Sequence, residues 1–252
     1  MRRREVIVGL GAAAWPFVAR AQHSGQMRRI GVLMATVQSD PDAQARLAAL
    51  RQALQELGWT DGRNVLLHYR WAGTDPDRMR AYAAELVGLI PNVILAHSPP
   101  GIMAAQRQTR TVPLVFVMVP APVEIGLVAS LTHPGGNITG LTHFETAMAG
   151  KWLEILREIS PGLTRVAFLL HPEHPAWAGY ASTIEAAASS LGLTVTAAGA
   201  RDAVGIERAL EAFAREPNGG LMVLPDNFTL VHRELIIALV ARYRLPQFRC
   251  GD

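Results

Sequence analysis

The chain has 252 residues, half of them hydrophobic, with 24 lysine and arginine residues against 21 aspartate and glutamate and a formal net charge of +3. Its single cysteine, Cys250, excludes an intrachain disulfide, so stability must come from a packed core, for which the length suffices. The positive charge does not point to nucleic acid: four of the basic residues and one acidic residue lie within residues 1–21, which leaves twenty of each sign in the remainder.

The first residues hold VIVGLGAAA, Val6 to Ala14, whose Gly9, Gly11 and Ala14 match a dinucleotide-binding fingerprint. That site needs a helix to begin at the glycines, and Pro16 removes a helix hydrogen bond and clashes with the preceding turn. A different template accounts for the whole stretch. Arg2, Arg3 and Arg4 form a positive region, Val6 to Val18 an apolar one of 13 residues, and Ala19-Arg20-Ala21 a cleavage site. Residues 1–21 are therefore expected to be a secretory signal peptide cleaved after Ala21, and Arg3-Arg4 gives it a twin-arginine character. The apolar run falls short of the roughly 20 residues a transmembrane helix needs, and no later run reaches that length.

From there apolar runs of strand length alternate with amphipathic runs of helix length. Residues 29–35 predict a strand. Asp40-Pro41 supplies an N-cap and a first-turn proline for a helix carrying Leu47, Leu50, Leu54 and Leu57 and ending at Gly58. Residues 65–71 predict a half-buried strand, and Asp75-Pro76 opens a helix running to Ile90. Short buried strands follow at 93–96 and 113–118, separated by a helix over 101–109. A helix over 123–131 and a strand over 137–141 complete the first half. The rhythm restarts with a helix over 146–159, strands at 165–170, 193–198 and 220–224, helices at 176–191, 203–215 and 229–243, and a last strand beginning at Pro246.

Continuous apolar strands joined by helices predict parallel sheets covered on both faces. The expected fold is α/β, two Rossmann-like lobes in tandem, divided into residues 22–141 and 142–252. Ligands of such sheets bind beyond the carboxyl ends of the strands, so the cleft between two lobes is the expected site. Hydroxyls, amides and one carboxylate gather in those strand-end segments: Thr36, His97-Ser98, Thr142-His143, His171 to His174, and Asp226-Asn227. They suit hydrogen bonding to a polar solute; taken alone, each is more often a turn or capping residue than a ligand contact, and Asp226 can start the helix after it. His171-Pro-Glu-His174 does not present a metal pair at helical spacing because of its prolines, and no metal is expected. The loop 133–137 lacks the Gly-Lys-Ser/Thr of a phosphate loop, no G-x-S-x-G elbow occurs, and nothing sets a histidine beside Cys250. No catalytic residue and no cofactor is expected. Trp59, Trp71, Trp152 and Trp177 read as core or rim packing.

Four stretches together carry a family resemblance: RRIGVLM (28–34), LRQALQELGWTDGRNV (50–65), PVEIGLVASLTHPGGNITGLT (122–142) and LPDNFTLVHRELIIALVARYRLP (224–246). The chain resembles ABC-transporter substrate-binding proteins typified by tryptophan-binding lipoproteins, with the type I periplasmic-binding-protein fold. The resemblance implies a hinged pair of lobes that capture a small solute, an amino acid or a related molecule, and present it to a membrane permease. It implies a periplasmic, monomeric protein without nucleic-acid partners. Its ligand contacts correspond to Thr36, Ser98, Thr142, Asp226 and Asn227.

Three departures stand out. Ala121-Pro122 replaces an Asp-Pro of many relatives and cannot accept from a ligand ammonium; His171 replaces an asparagine; and the final Gln-Phe-Arg-Cys-Gly-Asp does not match the continuation that relatives carry. The last departure predicts a truncated second lobe and a missing interlobe crossover. A sensing module for a membrane receptor, a non-functional truncated product and an enzyme on the same scaffold are the competing readings.

Overall fold

A computed structural model describes residues 27–249; the leader reading over residues 1–21 and Cys250 lie outside the described residues. Among the described residues, nine strands form two sheets, and every pairing within them is parallel. The first sheet contains β1 (Arg28–Met34), β2 (Val65–Trp71), β3 (Val93–His97), β4 (Leu114–Val117) and β5 (Ile138–Leu141) in the order β2-β1-β3-β4-β5. The second contains β6 (Arg165–Leu169), β7 (Thr194–Ala197), β8 (Gly219–Val223) and β9 (Gln247–Arg249) in the order β7-β6-β8-β9. Both orders reverse direction after the first strand. The switch points therefore lie between β1 and β3 in one lobe and between β6 and β8 in the other.

Helices supply the crossovers. Asp40 caps α1 (Pro41–Glu56) by accepting from Ala43 N at 2.8 Å, and Asp75 caps α2 (Pro76–Gly88) in the same manner. Helix α1 covers one face of the first sheet through Ala43 and Leu47, packed on Val32 and Met34. Helices α2 and α3 (Ser98–Gln108) cover the other, where Leu86 and Ile102 meet Leu33, Ile94 and Phe116. The second sheet is covered by α4 (Met148–Ile159) and α5 (Trp177–Leu191) on one face. On its other face lie α6 (Ala203–Ala214), α7 (Asn227–Val231) and α8 (Arg233–Tyr243).

Several expectations are corrected. No helix forms over 123–131. One turn closes by Ile125 N donating to Ala121 O at 3.1 Å, and Gly126 then takes φ +69°, which ends it. Leu127 and Val128 of this loop are buried in the first core, which explains their helix-like spacing. The helix expected over 229–243 begins at Asn227 and is interrupted at His232. Helix α3 begins at Ser98, three residues before the expected start, because Pro99 and Pro100 fit its first turn. Leu57, expected on the buried stripe of α1, is the C-cap and points to solvent, 76% exposed.

The connection between β4 and β5 touches both lobes. Ile125 packs against the core of each, Ala121 N donates to Phe144 O at 2.9 Å, and Thr146 Oγ1 donates to Glu124 Oε1 at 2.6 Å. Gly179 of α5 admits this contact, since a Cβ there would lie 2.6 Å from Glu124 Oε2. No helix among the described residues is long and apolar enough to cross a membrane.

Candidate functional site

The carboxyl ends of the two sheets face a common cleft. It holds two adjoining cavities, of which one, the inner cavity, has a volume of about 60 Å³. From the first lobe it takes Arg46 of α1, His97 and Ser98 at the β3–α3 junction, and Met118 and Pro120 after β4; His143 and Phe144 follow β5 at the start of the second lobe. The second lobe contributes His174, the segment Val223 to Asn227 after β8, Thr229, Leu230 and Arg249. A larger cavity of about 470 Å³ adjoins it and shares His174, Asp226 and Asn227; its wall also includes Gly73 to Pro76, His171, Arg201 and His232, and the carboxylates of Glu173 and Asp202.

Two backbone positions in the lining are strained. Ser98 has φ +64° and Met118 φ +57°, both in the left-handed region that L-residues seldom occupy. Such strain costs about 1–3 kcal/mol and persists where the surroundings over-determine it, commonly at ligand sites. Here each residue turns the chain immediately beyond a strand, at the rim of the cleft.

The polar lining is unsatisfied in an unusual concentration. Arg46 Nη1, both ring nitrogens of His97, Ser98 Oγ, His143 Nδ1, His174 Nε2 and Asn227 Oδ1 are buried without a hydrogen-bond partner. Leaving one such group unpaired in a core costs about 1–3 kcal/mol, and native structures hold only a few per hundred residues. Six residues carrying such atoms on one cavity wall describe a surface shaped to be completed by a bound molecule.

Three histidines of the cavity, His97, His143 and His174, are shifted towards the neutral form. Burial, reinforced by the charge of Arg46, pushes His97 down to about 4, and the same two causes push His143 to about 4. Burial also lowers His174. The histidines of the 171–174 turn each commit one ring nitrogen locally: His171 Nδ1 accepts from Glu173 N at 3.2 Å and His174 Nδ1 from Ala176 N at 3.1 Å. Asp226 is the N-cap of α7 and binds at both oxygens, Oδ1 accepting from Phe228 N at 3.1 Å and Oδ2 from His171 N at 2.9 Å.

Of the residues singled out in the sequence, Ser98, Asp226 and Asn227 line the inner cavity. Thr36 is fully buried at the end of β1, its hydroxyl unpartnered, but it is outside that lining. Thr142 is also outside it; its hydroxyl reaches Phe144 O at 3.4 Å. Ala121 is buried in the core of the second lobe and does not line the cavity. Arg46 escaped the sequence reading, although a signal exists: it sits between Ala43 and Leu47, at the helical spacing of the stripe that packs on the sheet.

Residues 30–250 match the family model of the ABC transporter substrate binding proteins. The chain belongs to that family. Among substrate binding proteins, a tyrosine-binding protein of Clostridioides difficile (strain R20291) is 30% identical to it over 118 residues, 47% of this chain. That match spans about a third, 34%, of the relative's length. A conserved domain protein from Vibrio cholerae O1 biovar eltor str. N16961 has the same fold, with a TM-score of 0.82 at 24% identity over 90% of this chain and 75% of that one. The ABC domain from Streptococcus pneumonia in complex with L-Trp superposes with a TM-score of 0.81 at 19% identity over the same shares. The family is a ligand-binding component of transporters and not an enzyme family.

Proposed function

We propose that the chain is the solute-capturing component of an ABC uptake system. It holds a small polar solute, an amino acid or a related molecule, between its two lobes, and closure around the solute forms the surface that an inner-membrane permease reads. Export by the leader over residues 1–21 would place this monomer in the periplasm. The observation that carries the reading is the wall of six residues with unpaired buried polar atoms, set where both parallel sheets end. L-Trp in the pneumococcal domain and tyrosine in the clostridial relative give the size range of the solute. Ser98 Oγ and the ring nitrogens of His97 share no hydrogen bond, which favours binding over turnover.

Thermal melts of the purified protein against a panel of amino acids, aromatic acids and small polar organics test the proposal. A solute at a hundredfold excess over its Kd should stabilise the fold by about 2.7 kcal/mol. A panel without a single stabilising solute removes the reading.

A further inference from the structure

The charge balance of the inner cavity narrows the chemistry of the solute, and this inference rests on the reading of the cleft as a solute site. Three charged side chains line it: Arg46, Arg249 and Asp226. Asp226 already accepts from two backbone N–H groups, one at each oxygen, and fixes the start of α7. Both of its oxygens are engaged before any solute arrives. Arg46 differs: the Asp40 carboxylate lies near enough to feel its charge, yet its Nη1 is a buried guanidinium nitrogen with no acceptor. A buried cationic donor is costly until an anion meets it.

A second donor points into the same cavity. Ser98 is 3% exposed, and its Oγ has no partner. It is the first residue of the 11-residue helix α3, whose positive end faces the cleft. Pro99 and Pro100 have no N–H, so Ser98 holds the single backbone donor among the first three residues of that helix. The histidines do not alter the balance, since burial and Arg46 keep His97 and His143 neutral.

Within the inner cavity an ammonium finds no carboxylate other than the hydrogen-bonded Asp226; the carboxylates of Asp75, Glu173 and Asp202 line the adjoining cavity instead. The acceptors left open are neutral, Asn227 Oδ1 and imidazole nitrogens, beside the Arg46 guanidinium. The remaining wall is apolar, formed by Met118, Phe144, Leu224 and Leu230. We propose that the cleft selects a small organic carboxylate that carries no ammonium group, its carboxylate held by Arg46 and Ser98 and its apolar body lying against Met118, Phe144 and Leu224. The solute is an organic acid, not a zwitterionic amino acid.

Calorimetric titration of the full chain with matched pairs decides it. The probes are 3-phenylpropionate against L-phenylalanine and 4-methylpentanoate against L-leucine, with 3-phenylpropionamide as the uncharged control. At least one acid should bind ten or more times tighter than its amino acid and its amide. Arg46→Gln should weaken that acid at least tenfold with a melting temperature no lower than the parent's, and Arg46→Lys should recover part of the loss. An amino acid that binds as tightly as its deaminated partner overturns the selectivity while leaving solute capture standing. An Arg46→Gln protein that still folds and binds the acid at full strength overturns the role of Arg46. Failure of every solute in the broad panel removes both readings.

Discussion

Arg233 of α8 donates Nη1 to Asp40 Oδ2 at 3.1 Å, joining the second lobe to the N-cap of α1 in the first across 193 residues of chain. Both side chains are largely covered, 19% and 9% exposed, and Asp42 adds a second carboxylate at 3.4 Å. Burial would raise the carboxyl pKa of Asp40, but the Ala43 N–H and the Arg233 guanidinium together hold it below the ordinary value. Asp40 thus does two tasks: Oδ1 caps α1 and Oδ2 ties the lobes.

The two tasks separate by mutation. Arg233→Met removes the tie and keeps the cap, whereas Asp40→Ala removes both and costs the first lobe about 1 kcal/mol more. In small-angle scattering without solute, Arg233→Met should show a larger radius of gyration than the parent chain, at nearly unchanged denaturant stability. Identical scattering profiles would show that the pair does not hold the cleft closed.

The buried histidines make stability depend on pH with a definite sign. His97 and His143 titrate near 4 in the fold because burial, then Arg46, disfavours their charged forms, against about 6.5 in an unfolded chain. Between those values the unfolded chain binds more protons, so the contribution is complete above about pH 6.5 and is lost as pH falls towards 4. One such histidine gives a slope of at most about 1.4 kcal/mol per pH unit in that window, less for the more exposed His143. Urea melts at pH 7, 6 and 5 should show the decline, and His97→Gln should flatten it. An equally steep decline in that variant would assign it to other groups.

Gly140 is required by a neighbour, not by its own backbone angles. It pairs with Phe116 in the register of β4 and β5, and a Cβ there would lie 2.3 Å from Phe116 O and 2.5 Å from the Phe116 ring. The nearest atom is backbone, so no rotamer change relieves the clash. Gly140→Ala should lower stability by about 1–3 kcal/mol, the cost of forced overpacking. A melting temperature equal to the parent's would mean that β5, at the edge of its sheet, shifts freely.

The strands were legible because a buried parallel strand is a short continuous apolar run between turn signals. Gly219 to Val223 shows this, buried throughout, whereas the half-buried Val65 to Trp71 was legible from its alternation, with ends that coincide in sequence and structure. Helices were legible where Asp-Pro marks the cap, as at Asp40 and Asp75. The loop over 122–131 misled because Leu127 and Val128 are buried by tertiary contacts while the chain itself makes only one turn. The cleft was legible only in part. Strand ends pointed to Ser98 and Asp226, but Arg46 reaches the cavity from the body of a helix and Arg249 from the last strand. Their convergence is a property of the packing of two lobes, which no local spacing encodes.

Ser98 offers a direct measure of what the site costs the fold. A non-glycine residue at φ +64° carries about 1–2 kcal/mol of strain, and a buried hydroxyl without a partner adds a desolvation cost. Glycine removes both, at the expense of a more flexible unfolded chain. Ser98→Gly should therefore raise the unfolding free energy of the solute-free protein by about 1 kcal/mol. The same change deletes a donor from the cavity, so affinity for whichever panel solute binds should fall. Paired denaturant melts and calorimetric titrations read the two effects separately. A variant that loses stability would show that Ser98 supports the β3–α3 junction through its side chain and is not held there under strain for the sake of the solute.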